Sequence, residues 1–280
     1  MLVNSQKVLL DAKNGGYGLP APDYLDLDSA RVFAKVAERF NMPLLLSYPQ
    51  VISNSLPLEE AAAVGKIIAE RASVPVVLHL DHGEDFTFIK RAIDLGFTSV
   101  MIDASMDSFE ENIRKTREVV EYAHPRGVTV EAEIGHVGHG INLAEIGFTD
   151  SVYTTVEEAV RFVELTNVDS LAVSIGTVHG FYKNATTPQL NFERLKELRD
   201  AVQVPLVLHG GSGSGEENLR RCVVEGISKV NIFTDLLTGA IEKINEDKPS
   251  NYPALKQSAD AGMDKVLSYY YGLFTRPEER

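Results

Sequence analysis

Val74-Pro75-Val76-Val77-Leu78-His79-Leu80-Asp81-His82-Gly83 is the stretch on which the reading of this chain turns. Its first half is a near-continuous apolar run, which marks a strand buried on both faces, as in a parallel sheet. Its second half breaks into His, Asp, His and Gly, so polar groups arrive just where the strand stops. The same design recurs along the chain. Short apolar or β-branched runs lie at Gly18 to Pro22, Pro43 to Tyr48, Val74 to Asp81, Ser99 to Ala104, Val128 to Gly135, Ser170 to Gly176, Pro205 to Gly210 and Lys229 to Phe233. Amphipathic stretches of helical length separate them, at Leu27 to Phe40, Leu58 to Ala72, Phe86 to Leu95, Phe109 to Ala123, Val156 to Thr166, Phe192 to Ala201 and Glu216 to Glu225. Asp28, Ser108, Thr155 and Asn191 are the expected helix caps. Eight βα units in 280 residues, with no break in composition, predict an α/β fold: a (β/α)8 TIM barrel forming one domain over residues 1–280. A doubly wound open sheet is the alternative. Extra helices are expected at Ser5 to Asn14 and Pro253 to Leu273, flanking the barrel.

Composition narrows the class of function. Asp and Glu outnumber Lys and Arg 40 to 27, for a formal net charge of −13, so no basic stripe is available to neutralise a nucleic-acid backbone. The N-terminal segment lacks the layout of a signal peptide, and no apolar run approaches the roughly 20 residues of a membrane span. These features predict a soluble protein with neither a nucleic-acid nor a membrane partner. The single cysteine, Cys222, allows no intrachain disulfide, which fits a reducing cytoplasm, and its helical setting predicts a buried structural thiol.

In barrels of this kind the chemistry collects at the C-terminal ends of the strands. There the sequence places Asp81-His82, Asp103 with Ser105, His179, His209, and the run Asn231-Ile232-Phe233-Thr234. Glu131 and Glu133 are two apart on one strand and therefore share a face, expected to be the barrel interior. Three histidines from three strand ends, His82, His179 and His209, match a catalytic zinc, which takes three protein ligands and leaves a position for substrate. The turn Gly210-Gly211-Ser212-Gly213 precedes a helix, so its amides suit an anion such as phosphate. Asn231 to Thr234, after the eighth strand, completes the place where barrels commonly hold one.

Five strings together carry a family resemblance: His79 to Gly83, Ser99 to Ser105, Val130 to Gly135, Gly176-Thr177-Val178-His179-Gly180 and Val207 to Gly213. In this order they resemble the class II, zinc-dependent fructose- and tagatose-bisphosphate aldolases. The resemblance implies that His82, His179 and His209 hold one catalytic Zn2+, with Glu131 and Glu133 close enough for one of them to ligate a second or alternative metal position. It implies that Asp81 is the acid/base, and that Gly180, Gly210, Gly211, Ser212, Asn231, Ile232, Phe233 and Thr234 hold the phosphate of dihydroxyacetone phosphate. It further implies a small-molecule sugar-phosphate substrate and a homodimer or homotetramer. Asp103 and Ser105 fit partners that orient a ligand histidine.

The sequence departs from that family in the half of the site that meets the aldehyde. The loop after the fifth strand lacks the usual acidic cluster, leaving His139 or Glu145 to move the proton at the enediolate carbon. The first strand ends Pro20-Ala21-Pro22-Asp23, with an acid where the family has an amide, and the arginine that usually reaches a distal phosphate is missing before Pro253. With Asp23 and Ser47 as the substrate contacts there, the expected ketose carries phosphate at C1 and an aldehyde half that is unphosphorylated or bears another group. A Schiff-base route has little support, since Lys229 is expected at the wrong end of the eighth strand and Lys183 in a loop. The competing functions are a metal-dependent sugar-phosphate isomerase or epimerase, and a silent sugar-phosphate-binding protein.

Overall fold

The structure is a computed structural model that describes residues 1–135, 138–139, 153–179 and 188–275, with only the backbone described at 138, 139 and 179. Eight parallel strands make the barrel: β1 (Leu19–Pro22), β2 (Leu44–Pro49), β3 (Val76–Gly83), β4 (Ser99–Ile102), β5 (Thr129–Ile134), β6 (Ser170–Val173), β7 (Leu206–Leu208) and β8 (Ile227–Ile232). They pair in the order β1-β8-β7-β6-β5-β4-β3-β2. The ring closes between β1 and β2 through a bridge at Asp23 and Ser47, where the Tyr24 N–H donates to the Ser47 carbonyl at 3.0 Å. Leu44, Leu45 and Leu46 show why such runs form strands here: all three are buried, each contributing about 1.5–3 kcal/mol of apolar transfer. Helices shield one face of each strand and the barrel interior takes the other, so no side of the sheet is wet.

The helices that follow the strands are α2 (Leu27–Phe40), α3 (Leu58–Arg71), α4 (Phe86–Asp94), α5 (Phe109–Ala123), α6 (Val156–Thr166), α7 (Phe192–Ala201), α8 (Glu216–Val224) and α9 (Thr234–Asp247). They are flanked by α1 (Ser5–Gly15) and α10 (Tyr252–Thr275). At the N-terminal end of the barrel, Ser5 of α1 hydrogen bonds Thr129 through their hydroxyls at 2.7 Å. The chain before α1 pairs with β3, Val3 N–H donating to the Val76 carbonyl at 2.9 Å. The last helix lies against α9 and α2, where Arg39 grips Asp264 with two bonds of 3.1 and 2.8 Å.

Ser108, Thr155 and Asn191 cap α5, α6 and α7 as expected. The cap of α2 is Asp26 rather than Asp28. Asp26 accepts from the Ser29 N–H at 2.8 Å and Ser29 answers at the Asp26 N–H, a capping box that Asp28 cannot form. Asp28 sits in the first turn and pairs with Arg31 and Lys256. Helix α9 begins directly after β8, where the sequence reading placed only a phosphate loop. Strand β8 starts at Ile227, which puts Lys229 inside the strand and buried, not at its N-terminal end. Cys222 is buried, as expected.

Candidate active site

Strand alternation brings His79 and Asp81 of β3, Glu131 and Glu133 of β5, and Lys229 and Asn231 of β8 into the barrel, and all six are buried. Alternation alone would turn His82 away from Asp81. Instead the β3–β4 register shifts between Leu80 and Gly83, and His82 takes a left-handed φ of 47°. That bulge turns the imidazole toward the same rim, a local strain of about 1–3 kcal/mol held by the surrounding structure. Gly83 permits it, since a Cβ there would lie 2.5 Å from the Met101 carbonyl oxygen. The Gly83 carbonyl in turn accepts from the Asp103 N–H at 2.8 Å, which sets Asp103 beside His82.

The two histidines face each other. Asp103 Oδ2 lies 2.7 Å from His82 Nδ1, and Ser105 steadies the other Asp103 oxygen through its hydroxyl at 2.7 Å and its N–H at 3.1 Å. His82 Nε2 lies 3.0 Å from His209 Nδ1, and His209 Nε2 lies 3.0 Å from Glu131 Oε1. The charges settle which nitrogen donates. Burial opposes ionisation of Glu131, but the Lys229 ammonium and the His209 bond hold its carboxyl well below the usual range, so it accepts. His209 therefore donates from Nε2, and its Nδ1 lone pair points at His82. Burial would lower His82, yet Asp81, the Asp103 bond and Glu133 raise its pKa to about 10, so it carries protons on both nitrogens and donates to His209. Burial lowers the His209 pKa, with the positive His82 adding to the effect.

Asp81 sits beside this pair, its Oδ2 3.9 Å from His82 Nε2. Its Oδ1 accepts from the Asn231 amide at 2.7 Å. Burial would raise its pKa, but His82, His209 and Lys229 hold it below the ordinary aspartate value. Asp23 goes the other way, pushed well above that value by burial and then by the Asp81 charge. Of the two, Asp81 is the more readily ionised and Asp23 the one that holds its proton more tightly. The Asp23 Oδ1, Ser47 Oγ and Asn231 Oδ1 atoms are buried without hydrogen-bond partners among the described residues.

Asp23, Asp81, His82, Asp103, His209 and Asn231 line a cavity of about 340 Å³ at the C-terminal rim of the barrel, together with Gly210, Gly211, Ser212, Phe233 and Thr234. A Cβ at Gly210 would lie 2.5 Å from the Val178 carbonyl oxygen, and its φ of 67° is left-handed, so only glycine serves there. Helix α9 opens onto this cavity with no side-chain cap. The Asp235 N–H in its first turn donates to Ser212 Oγ at 3.2 Å. A larger cavity of about 430 Å³ lies at the opposite end of the barrel, but its His124 and Asp169 are bonded to each other at 2.9 Å.

The structure thus brings Asp23, Asp81, His82, His209, Gly210, Gly211, Ser212, Asn231, Phe233 and Thr234 around one cavity. Ser47 stands next to Asp23 in the closing bridge, whereas the Ile232 side chain belongs to the hydrophobic core. Glu133 is within ligating reach of His82 and Asp103, while Glu131 lies on the far side of the His209 ring from His82. The backbones of His179 and His139 pair in a short parallel ladder, Val178–His179 with Gly138–His139. Gly180 and Glu145 lie outside the described residues, as does Lys183. Sequence reasoning missed His79 and the interior place of Lys229. Each lies two residues before a rim residue on the same strand face, Asp81 and Asn231, so period-two alternation held the signal.

Residues 3–277 match the family described as fructose-bisphosphate aldolase class-II. The chain is a member of that family. It is 39% identical over 241 residues to the protein YdjI of Escherichia coli K12, covering 85% of this chain and 86% of that protein. The crystal structure of the YdjI aldolase superposes with a TM-score of 0.88 at 34% identity, over 98% of this chain and 97% of that one. Fructose-bisphosphate aldolase from Campylobacter jejuni shares the fold, with a TM-score of 0.78 at 24% identity over 97% and 95% of the two chains. As a class II aldolase this protein is a carbon–carbon lyase acting on a small sugar phosphate.

The donor set of this aldolase fits the metal its family uses. The ligand atoms of Asp81, His82 and His209 all lie within 4.8 Å of one another. The facing His82 and His209 nitrogens, at 3.0 Å, are near the ~3.3 Å expected of two nitrogens on one tetrahedral zinc.

Proposed function

We propose that this aldolase cleaves a ketose phosphorylated at C1 to dihydroxyacetone phosphate and an unphosphorylated aldehyde, with Zn2+ as its cofactor. One observation carries the reading: the cavity that receives the start of α9 and the Gly210–Ser212 turn also holds the side chains of Asp23, Asp81, Glu84 and Asp103, and no Lys or Arg lines it among the described residues. A single phosphate suits the helix N-terminus and its amides. A second phosphate would meet Asp81, Glu84 and Asp103, whereas hydroxyl groups of a neutral chain suit the buried Asp23, Ser47 and Asn231 oxygens.

His82 and His209, with His179, would hold the zinc, which as a Lewis acid stabilises negative charge on the ketone oxygen. Asp81, ionised and fixed by Asn231, takes the proton of the C4 hydroxyl as the C3–C4 bond breaks, and in the synthetic direction returns it. The electron pair of that bond goes to the dihydroxyacetone phosphate half as its enediolate. His139 or Glu145 moves the proton at the enediolate carbon. Hydrogen exchange on dihydroxyacetone phosphate that survives in both alanine variants would remove this assignment. Cytoplasmic placement and homo-oligomeric assembly complete the proposal.

The test is a comparison of kcat/KM for fructose 1-phosphate and fructose 1,6-bisphosphate. The proposal expects the monophosphate to be the better substrate. A large preference for the bisphosphate would overturn it.

A further inference from the structure

We propose that Glu131 and Lys229 are positioning residues for the metal site: their buried ion pair dictates which nitrogen of His209 is presented to the metal. This rests on the reading of His82 and His209 as ligands. Lys229 Nζ reaches both Glu131 oxygens at 2.8 Å each, and Ser170 Oγ donates to Oε2 at 3.3 Å. Glu131 Oε1 then meets His209 Nε2 at 3.0 Å, on a ring that is fully buried. A carboxylate clamped this way can only accept. His209 must therefore protonate Nε2 and turn Nδ1 toward His82. The pair spans β5 and β8 beneath the cavity, and the Lys229 charge also acts on Asp81. Lys229 also contacts His79 Nε2 at 3.2 Å, which ties the clamp across the barrel interior to β3.

An amide in place of the carboxylate distinguishes orientation from mere support. In Glu131→Gln, the Lys229 ammonium captures the amide oxygen, and the amide NH2 is left to face His209 Nε2. That favours the Nδ1–H tautomer, which blocks ligation. Adding Lys229→Met frees the amide to turn its oxygen back toward His209.

The experiment measures zinc affinity of metal-free protein by competition with a chromophoric chelator, alongside thermal unfolding of the metal-free form and the visible spectrum of the Co2+-loaded form. We expect zinc binding about 10–100-fold weaker in Glu131→Gln. In the Glu131→Gln/Lys229→Met double variant at least tenfold should return, with the Co2+ spectrum restored. A structural role predicts no such rescue. Wild-type affinity in folded Glu131→Gln, or a further loss on adding Lys229→Met, would overturn the proposal. If Glu131→Gln does not fold, the double variant is compared with Glu131→Leu/Lys229→Met, which has no acceptor. Equal zinc affinity in these two would overturn the proposal as well. Failure of the wild-type protein to bind zinc would instead defeat the ligand reading on which it rests.

Discussion

Replacing Asp103 tests how the metal site is aimed. Its carboxylate makes the 2.7 Å bond to His82 Nδ1 that directs Nε2 toward His209, and its own pKa is held well below the usual range, burial being outweighed by His82 and Ser105. A hydrogen bond to a charged group contributes about 1.5–3 kcal/mol, and 1.4 kcal/mol is about a factor of ten in binding. Asp103→Ala should therefore weaken zinc binding about 10–100-fold, the range usual for partners of metal-ligating histidines. Asp103→Asn retains an acceptor oxygen and should lose about tenfold or less. Ser105→Ala leaves the Asp103–His82 bond in place and should cost less than about threefold in zinc affinity. The assay is competition of the metal-free variants with a chromophoric chelator at fixed pH, with unfolding of each metal-free protein as the control for folding. Wild-type zinc affinity in folded Asp103→Ala would refute the reasoning, as would a loss in Ser105→Ala equal to that in Asp103→Ala.

Asp81→Asn should lower kcat by about 10²–10⁴ while KM changes little, because it removes the base but keeps the shape that Asn231 grips; steady-state kinetics within tenfold of wild type would count against it. Burial and the nearby Lys229 push the His79 pKa down to about 3, whereas an unfolded His titrates near 6.5. The unfolded chain then binds a proton that the folded chain refuses, so stability is full above about pH 6.5 and declines as pH falls toward 3, by about 2 kcal/mol at pH 5. Urea unfolding should show a shallower loss between pH 7 and 5 for His79→Asn, and identical slopes would contradict this. A Cβ at Gly262 would overlap the Gly239 carbonyl where α10 crosses α9, so Gly262→Ala should destabilise by about 1–3 kcal/mol, read as a lower Tm; an unchanged Tm would show that the helices separate without cost.

Much of the fold was legible because local signals agreed with it. Helices α2, α5, α6 and α7 begin and end where their apolar periodicity and their flanking Gly, Pro and Asn residues place them. The rim chemistry was legible for a similar reason: in a parallel barrel the residues that end each strand must meet, and Asp81, His82, His209 and Asn231 do. What escaped was set by contacts distant in sequence. Lys229 was expected at the N-terminal end of its strand, and the partner that holds it in the interior, Glu131, lies 98 residues away on β5. The sequence placed His82 at the rim, but the bulge that turns it there depends on the close approach of Gly83 to Met101 on β4. Helix α9 was hidden because its first turn coincides with the polar run read as a phosphate loop. The His139 and Glu145 assignments rest on the sequence.

The most direct test of the central claim follows dihydroxyacetone phosphate released from fructose 1-phosphate by the zinc-loaded protein. The account predicts release that a chelator abolishes, that added zinc restores, and that borohydride does not trap on the chain. Failure of the folded, zinc-loaded protein to release dihydroxyacetone phosphate from any C1-phosphorylated ketose would contradict it, as would release that survives the chelator and is trapped by borohydride.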